Sequence, residues 1–122
     1  MNPPVPAPYA NMCSPMNPRP YRPASELEAA IDRGELALAI TLAREVAEDR
    51  GRPVELDLAL RFLPLVAAQR PPAYDSWACR WLARWLTESD GATIDQAVDI
   101  AAGLAALPVE PEALEAVVQA KG

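Results

Sequence analysis

From residue 25 onward the apolar positions recur at intervals of three and four, the spacing that aligns side chains along one side of an α-helix. Ser25 followed by Glu28 reads as a capping box opening a short helix over 26–33, which stops at Gly34. A second helix is predicted over 35–50, with Leu36, Ala39, Ile40, Ala43, Val46 and Ala47 on its inner stripe and Gly51 as its left-handed stop. Pro53 opens a third, over 54–69, where Leu56, Ala59, Leu60, Leu63 and Ala67 are flanked by Leu58, Phe62 and Val66. Pro64 lies inside that helix. It has no N–H to offer the carbonyl of Leu60 and its ring collides with that turn, so a bend or break is expected between Leu60 and Pro64, with Phe62 and Leu63 still buried.

Pro71 and Pro72 separate the two halves, and a fourth helix is predicted over 73–88, closing at Asp90-Gly91. Thr93 with Gln96 forms another capping box, opening a fifth helix that reaches Leu107 and offers Ala97, Ile100, Ala101, Leu104 and Ala105 for close packing. Pro108 ends it. Pro111, between Glu110 and Glu112, starts a sixth helix expected to bury Leu114, Val117 and Val118 and to end at Lys121-Gly122. No segment alternates with period two over a useful length. The expected fold is all-α, a small bundle of five or six short helices.

Residues 1–24 break the pattern. They hold eight of the 14 prolines, and each fixes φ and removes a backbone donor, so this segment reads as a proline-rich leader of polyproline II and coil. It contains P-x-x-P spacings starting at Pro3, Pro15 and Pro20, a pattern that aromatic-lined grooves recognise and that proline-dense segments also generate by composition alone. Val5, Tyr9, Met12, Met16 and Tyr21 make it more apolar than an ordinary linker. The organisation is therefore a leader, 1–24, and one helical domain, 25–122.

Composition narrows the chemistry. At 122 residues and 51% hydrophobic the chain suits one compact domain. Its net charge is −6, and because Arg19 and Arg22 sit in an acid-free leader, the helical part is more acidic still, which disfavours phosphate backbones and anionic lipid. The start lacks the continuous apolar stretch of a secretory leader, and no apolar run is long enough to span a bilayer. A cytoplasmic protein with no membrane association and no nucleic-acid partner is expected, and the preference for Arg over Lys with abundant Ala suggests a bacterial source. Histidine is absent, which removes His-based triads, proton shuttles and zinc sites. Cys13 and Cys79 form no disulfide framework. Ser25, Ser76, Ser89 and Cys79 have no base beside them in the pattern, and the one lysine is Lys121 near the chain end. Carboxylates at four-residue spacing, Glu28 and Asp32, Glu45 and Asp49, and Asp95 and Asp99, read as solvated helix surface, and no cofactor or metal is expected. Arg44 with Glu48, Asp57 with Arg61, and Arg84 with Glu88 are expected as same-face ion pairs.

One internal similarity stands out. Leu42-Ala43-Arg44, Glu48 and Gly51 recur 40 residues later as Leu82-Ala83-Arg84, Glu88 and Gly91, and Val54-Glu55 corresponds to Ile94-Asp95. This points to two αα-hairpins related by that offset.

The most distinctive constellation is Tyr74, Trp77, Trp81 and Trp85, which share one side of the fourth helix, with Ala78, Leu82 and Leu86 on the adjoining side and Arg84 next to Trp77 around the helix. Such a stripe is either core or a docking face, because Trp dominates both buried clusters and binding hot spots. The offset places polar Thr41 and Glu45 at the positions equivalent to Trp81 and Trp85, which favours docking. On that basis the Trp81–Trp85 edge is expected to be covered by something other than the hairpin core: the leader, a second copy, or a foreign protein. The functional expectation is a non-enzymatic interaction or regulatory module that binds a protein partner, or itself, through Tyr74, Trp77, Trp81, Arg84 and Trp85, through the leader, or through both. The alternatives are a small helix-turn-helix-like transcriptional regulator, built around the turns at Gly34 and Gly51, and a non-catalytic enzyme subunit.

Overall fold

The computed structural model describes residues 23–122, so the leader's proline spacings and aromatic residues lie outside the described residues. Helices α1 (Pro23–Asp32), α2 (Leu36–Arg50), α3 (Leu56–Leu60), α4 (Phe62–Gln69), α5 (Tyr74–Glu88), α6 (Ile94–Ala106) and α7 (Ala113–Lys121) follow one another, with one 3₁₀ turn at Pro71–Ala73 and no strand among the described residues. The chain is an all-α bundle.

Ser25 sits inside α1 and does not cap it. A proline is pre-organised for a first helical turn, so Pro23 already belongs to the helix two residues earlier than the expected cap. The turns at Gly34 and Gly51 follow the predicted logic. Both glycines are left-handed, with φ of 75° and 72°, which lets the N–H of Glu35 reach the Ala30 carbonyl at 2.9 Å and that of Arg52 reach Ala47 at 3.1 Å. The helix predicted over 54–69 starts at Leu56 and breaks at Arg61, whose N–H turns back to Leu58 at 3.1 Å, while Phe62 and Leu63 remain buried as expected from Pro64.

The second capping box forms as read. The Thr93 hydroxyl accepts from the Gln96 N–H at 3.1 Å and the Gln96 side chain accepts from the Thr93 N–H at 3.0 Å. The face that α6 buries differs from the expected one: Ile100, Gly103, Leu104 and Leu107 are buried, whereas Ala101 and Ala105 are exposed. The cause is Gly103. A Cβ there would meet Val117 Cγ2 at 2.6 Å, so the missing side chain admits α7 closely and turns that side of α6 toward it. On α7, Val117 is fully buried and Leu114 half-buried, but Val118 is 41% exposed, contrary to expectation.

The most closely packed pairs are α1 with α2 and α6 with α7, and between them α5 packs against α3, α4 and α6, making it the central helix. Its buried side holds Tyr74, Ala78, Trp81 and Trp85. The Trp81 indole N–H donates to the Leu56 carbonyl at 2.9 Å, fixing the start of α3. The Tyr74 hydroxyl donates to the Leu104 carbonyl at 2.5 Å. That carbonyl has lost its ordinary helical donor, because the residue four positions on is Pro108. Tyr74 thus satisfies a group that the sequence itself orphans.

Exposed polar contacts brace the elements. Gln69 donates to the Gly34 carbonyl at 2.7 Å, Arg61 pairs with Asp32 at 2.5 Å and Glu28 at 3.8 Å, and Lys121 pairs with Asp57 at 2.5 Å. These replace the expected Asp57–Arg61 pair: the break at Arg61 turns its side chain toward α1, and α7 brings Lys121 to Asp57. Each such pair contributes only about 0–1 kcal/mol.

Candidate functional site

An open groove of about 710 Å³ runs between α2 on one side and α5 on the other, with the Pro53-Val54 segment and α4 beneath. It exists because the positions facing it are small. Ala43 and Ala47 of α2, Ala59 of α3 and Ala83 of α5 leave a gap that larger side chains would close. Ile40, Ala43 and Ala47, expected on the buried stripe of α2, are half-buried for this reason, while Leu36, Ala39, Leu42 and Val46 carry that helix's core contact.

Phe62 and Trp77 stack on each other in the lining, with ring centroids 5.9 Å apart and planes inclined by 20°. Trp77 is half-buried. The Arg80 guanidinium lies 5.8 Å from the centre of the Trp77 ring and is held there by donating to the Ser76 hydroxyl at 2.9 Å. One turn later Arg84 donates from Nε to Glu88 at 2.8 Å, and this hydrogen bond, with the charge behind it, holds the Glu88 carboxyl below its ordinary pKa. Arg44 borders the opposite wall and makes no ion pair among the described residues, so the expected Arg44–Glu48 pair is absent, whereas Arg84–Glu88 forms. Three guanidiniums and one carboxylate therefore edge an apolar floor, on a chain whose net charge is −6.

The five residues singled out from the sequence divide between two places. Trp77 and Arg84 line the groove, as does part of Trp81. Tyr74 and Trp85 belong to the core, and so does most of Trp81: Trp81 is 4% exposed and Trp85 3%, both within the same buried cluster as Leu60, Phe62 and Ile100. The expectation that the Trp81–Trp85 edge is covered by something outside the bundle is therefore corrected. These rings are core because α5 is the central helix, and the polar Thr41 and Glu45 mark the exposed side of a peripheral one.

Sequence reasoning missed Arg44, Arg80, Phe62 and the alanines as site residues. The signal was present in the 40-residue correspondence: Ala43, Arg44 and Ala47 on one wall stand at the positions equivalent to Ala83, Arg84 and Thr87 on the other. Cys79 is exposed, and among the described residues no group of three or more acidic or cysteine side chains is arranged to hold a metal ion. No described helix is long and apolar enough to cross a membrane. The chain matches no protein-family model, and neither the curated proteins nor the solved structures contain a match to it.

Proposed function

We propose that this chain is a non-catalytic, cytoplasmic protein-interaction module that receives an apolar segment of a protein in the groove between α2 and α5. The observation that carries this reading is the groove itself: an apolar floor with the rings of Phe62, Trp77 and Trp81, edged by Arg44, Arg80 and Arg84. Its volume lies within the range of about 300–1,000 Å³ typical of binding sites. An exposed apolar concavity of this kind loses water on binding, and the guanidiniums at its edge fix orientation rather than supply most of the affinity. Its charged groups suit binding better than proton transfer. Arginine does not titrate in the working range, and Glu88 is kept ionised by Arg84.

A DNA-binding reading has less support, because α2 presents Glu45, Glu48 and Asp49 against Arg44 and Arg50. The test is selection from a displayed peptide library on the full chain, with Ala83→Trp as counter-target. Ala83 is exposed on the groove wall, so an indole there fills the groove without entering the core. Peptides that bind the native chain, fail to bind Ala83→Trp and shift the Trp77 indole N–H resonance are expected. Peptides retained equally by both chains, or none retained, would refute the proposal.

A further inference from the structure

We infer that the groove's occupant is helix α6 of a second copy of this chain, an inference that rests on the groove being a docking site. The sequence pattern of α6 predicts packing for Ala101 and Ala105, yet the bundle leaves them exposed together with Ile94, 79% exposed, and Val98, 59% exposed. The spacing of these four residues, four, three and four, confines them to one stripe spanning about 60° of the helix at 100° per residue. It is a helix face with apolar side chains and no described residue covering it. A convex helical stripe entering an apolar cleft between two helices is a recurrent mode of recognition.

Charge selects this occupant. Asp95 and Asp99 run beside the stripe at four-residue spacing, and Arg80 and Arg84 run along the groove edge at the same spacing. Residues four apart on one helix have Cβ atoms about 5–6 Å from each other, so two carboxylates meet two guanidiniums in register when α6 lies along α5 of the partner copy. The small Ala101 and Ala105 let the second half of α6 approach the cleft closely, while Ile94 and Val98 supply bulk at the end that carries the aspartates. The leader fits less well, since its charges are Arg19 and Arg22 with no acid and would face the groove's own arginines.

The contact joins two different patches, groove to stripe, so one copy keeps an unused stripe and the other an unused groove. Association is head-to-tail, and it either closes into a ring or extends.

The test is sedimentation velocity on the full chain over a wide micromolar range, with two sets of surface variants. Val98→Glu blocks the stripe, and Arg80→Glu with Arg84→Glu blocks the groove edge; unchanged helical circular dichroism confirms that each still folds. The native chain is expected to gain mass with concentration, and each blocked chain alone to lose self-affinity by about tenfold or more. Mixed in equal amounts, the two blocked chains should form a dimer that grows no further, because one intact groove meets one intact stripe. A native chain that stays monomeric overturns the inference, as does a mixture that stays monomeric. Assembly abolished by Val98→Glu but untouched by the arginine substitutions also overturns it, since the stripe then pairs with itself. The groove reading survives any of these results if selected peptides still distinguish the native chain from Ala83→Trp.

Discussion

Replacing Tyr74 with Phe removes one oxygen from a site that keeps its shape, which isolates the hydrogen bond to Leu104. That carbonyl is buried against the start of α5 and has no helical donor because residue 108 is proline, so the substitution leaves it unsatisfied. Leaving a buried polar group without a partner costs about 1–3 kcal/mol, the expected loss for Tyr74→Phe at neutral pH. A second signature follows from titration. Burial, with a smaller contribution from the Asp75 carboxylate, pushes the Tyr74 phenol up to about 12 from its usual value near 10. Between those two values the folded chain keeps a proton that the unfolded chain has released. Its contribution to stability is complete below about pH 10 and is lost as pH rises toward 12, by up to about 2.7 kcal/mol for two units. Urea unfolding of both chains, from pH 7 into the alkaline range, reads this directly. Subtracting the variant's stability cancels every pH effect the two chains share. The difference should be constant up to about pH 10 and then shrink or reverse. A flat difference across that window, or a variant as stable as the native chain at pH 7, refutes the reasoning. Pro108→Ala provides a further check: an alanine N–H offers Leu104 a new donor, so Tyr74→Phe should cost less in that background.

Gly103→Ala should destabilise by about 1–3 kcal/mol in chemical denaturation, since its Cβ would meet Val117 Cγ2 at 2.6 Å, and Val117→Ala in the same chain should recover part of the loss. Trp85→Ala should cost about 3–5 kcal/mol as a buried ring, enough to lower the thermal midpoint by many degrees. Arg61→Ala removes exposed pairs to Asp32 and Glu28 and should change stability by no more than about 1 kcal/mol; a larger loss would show that these pairs organise the break between α3 and α4.

Much of the architecture was legible in local chemistry. Gly34, Gly51 and the Thr93–Gln96 box end or begin helices through backbone conformation and side-chain hydrogen bonds that involve only neighbouring residues. Pro64 broke its helix for the same local reason. What was not legible depended on which helices meet. The buried face of α6 is set by Gly103 meeting α7, a contact across residues that a period of 3.6 does not specify. The partner of Asp57 is Lys121, far along the chain, and no reading confined to one helix could select it over Arg61.

The aromatic stripe shows why a correct pattern led to the wrong surface. Trp81 and Trp85 differ from Thr41 and Glu45 because α5 is packed against α3, α4 and α6, whereas α2 packs chiefly on α1 and α4 and keeps one side in water. The contrast between the equivalent positions therefore records depth in the bundle. What the two segments share is more informative than where they differ. Ala43-Arg44 and Ala83-Arg84 occur at the same point of the repeated pattern, and the fold turns them toward each other across the groove. At each wall an alanine keeps the cleft open and the arginine after it edges the cleft with positive charge. Bulk determines whether the cleft exists and charge determines what it prefers, so the two can be changed independently: Ala83→Trp removes the cleft and leaves its arginines, while the arginine substitutions reverse its charge and leave its volume.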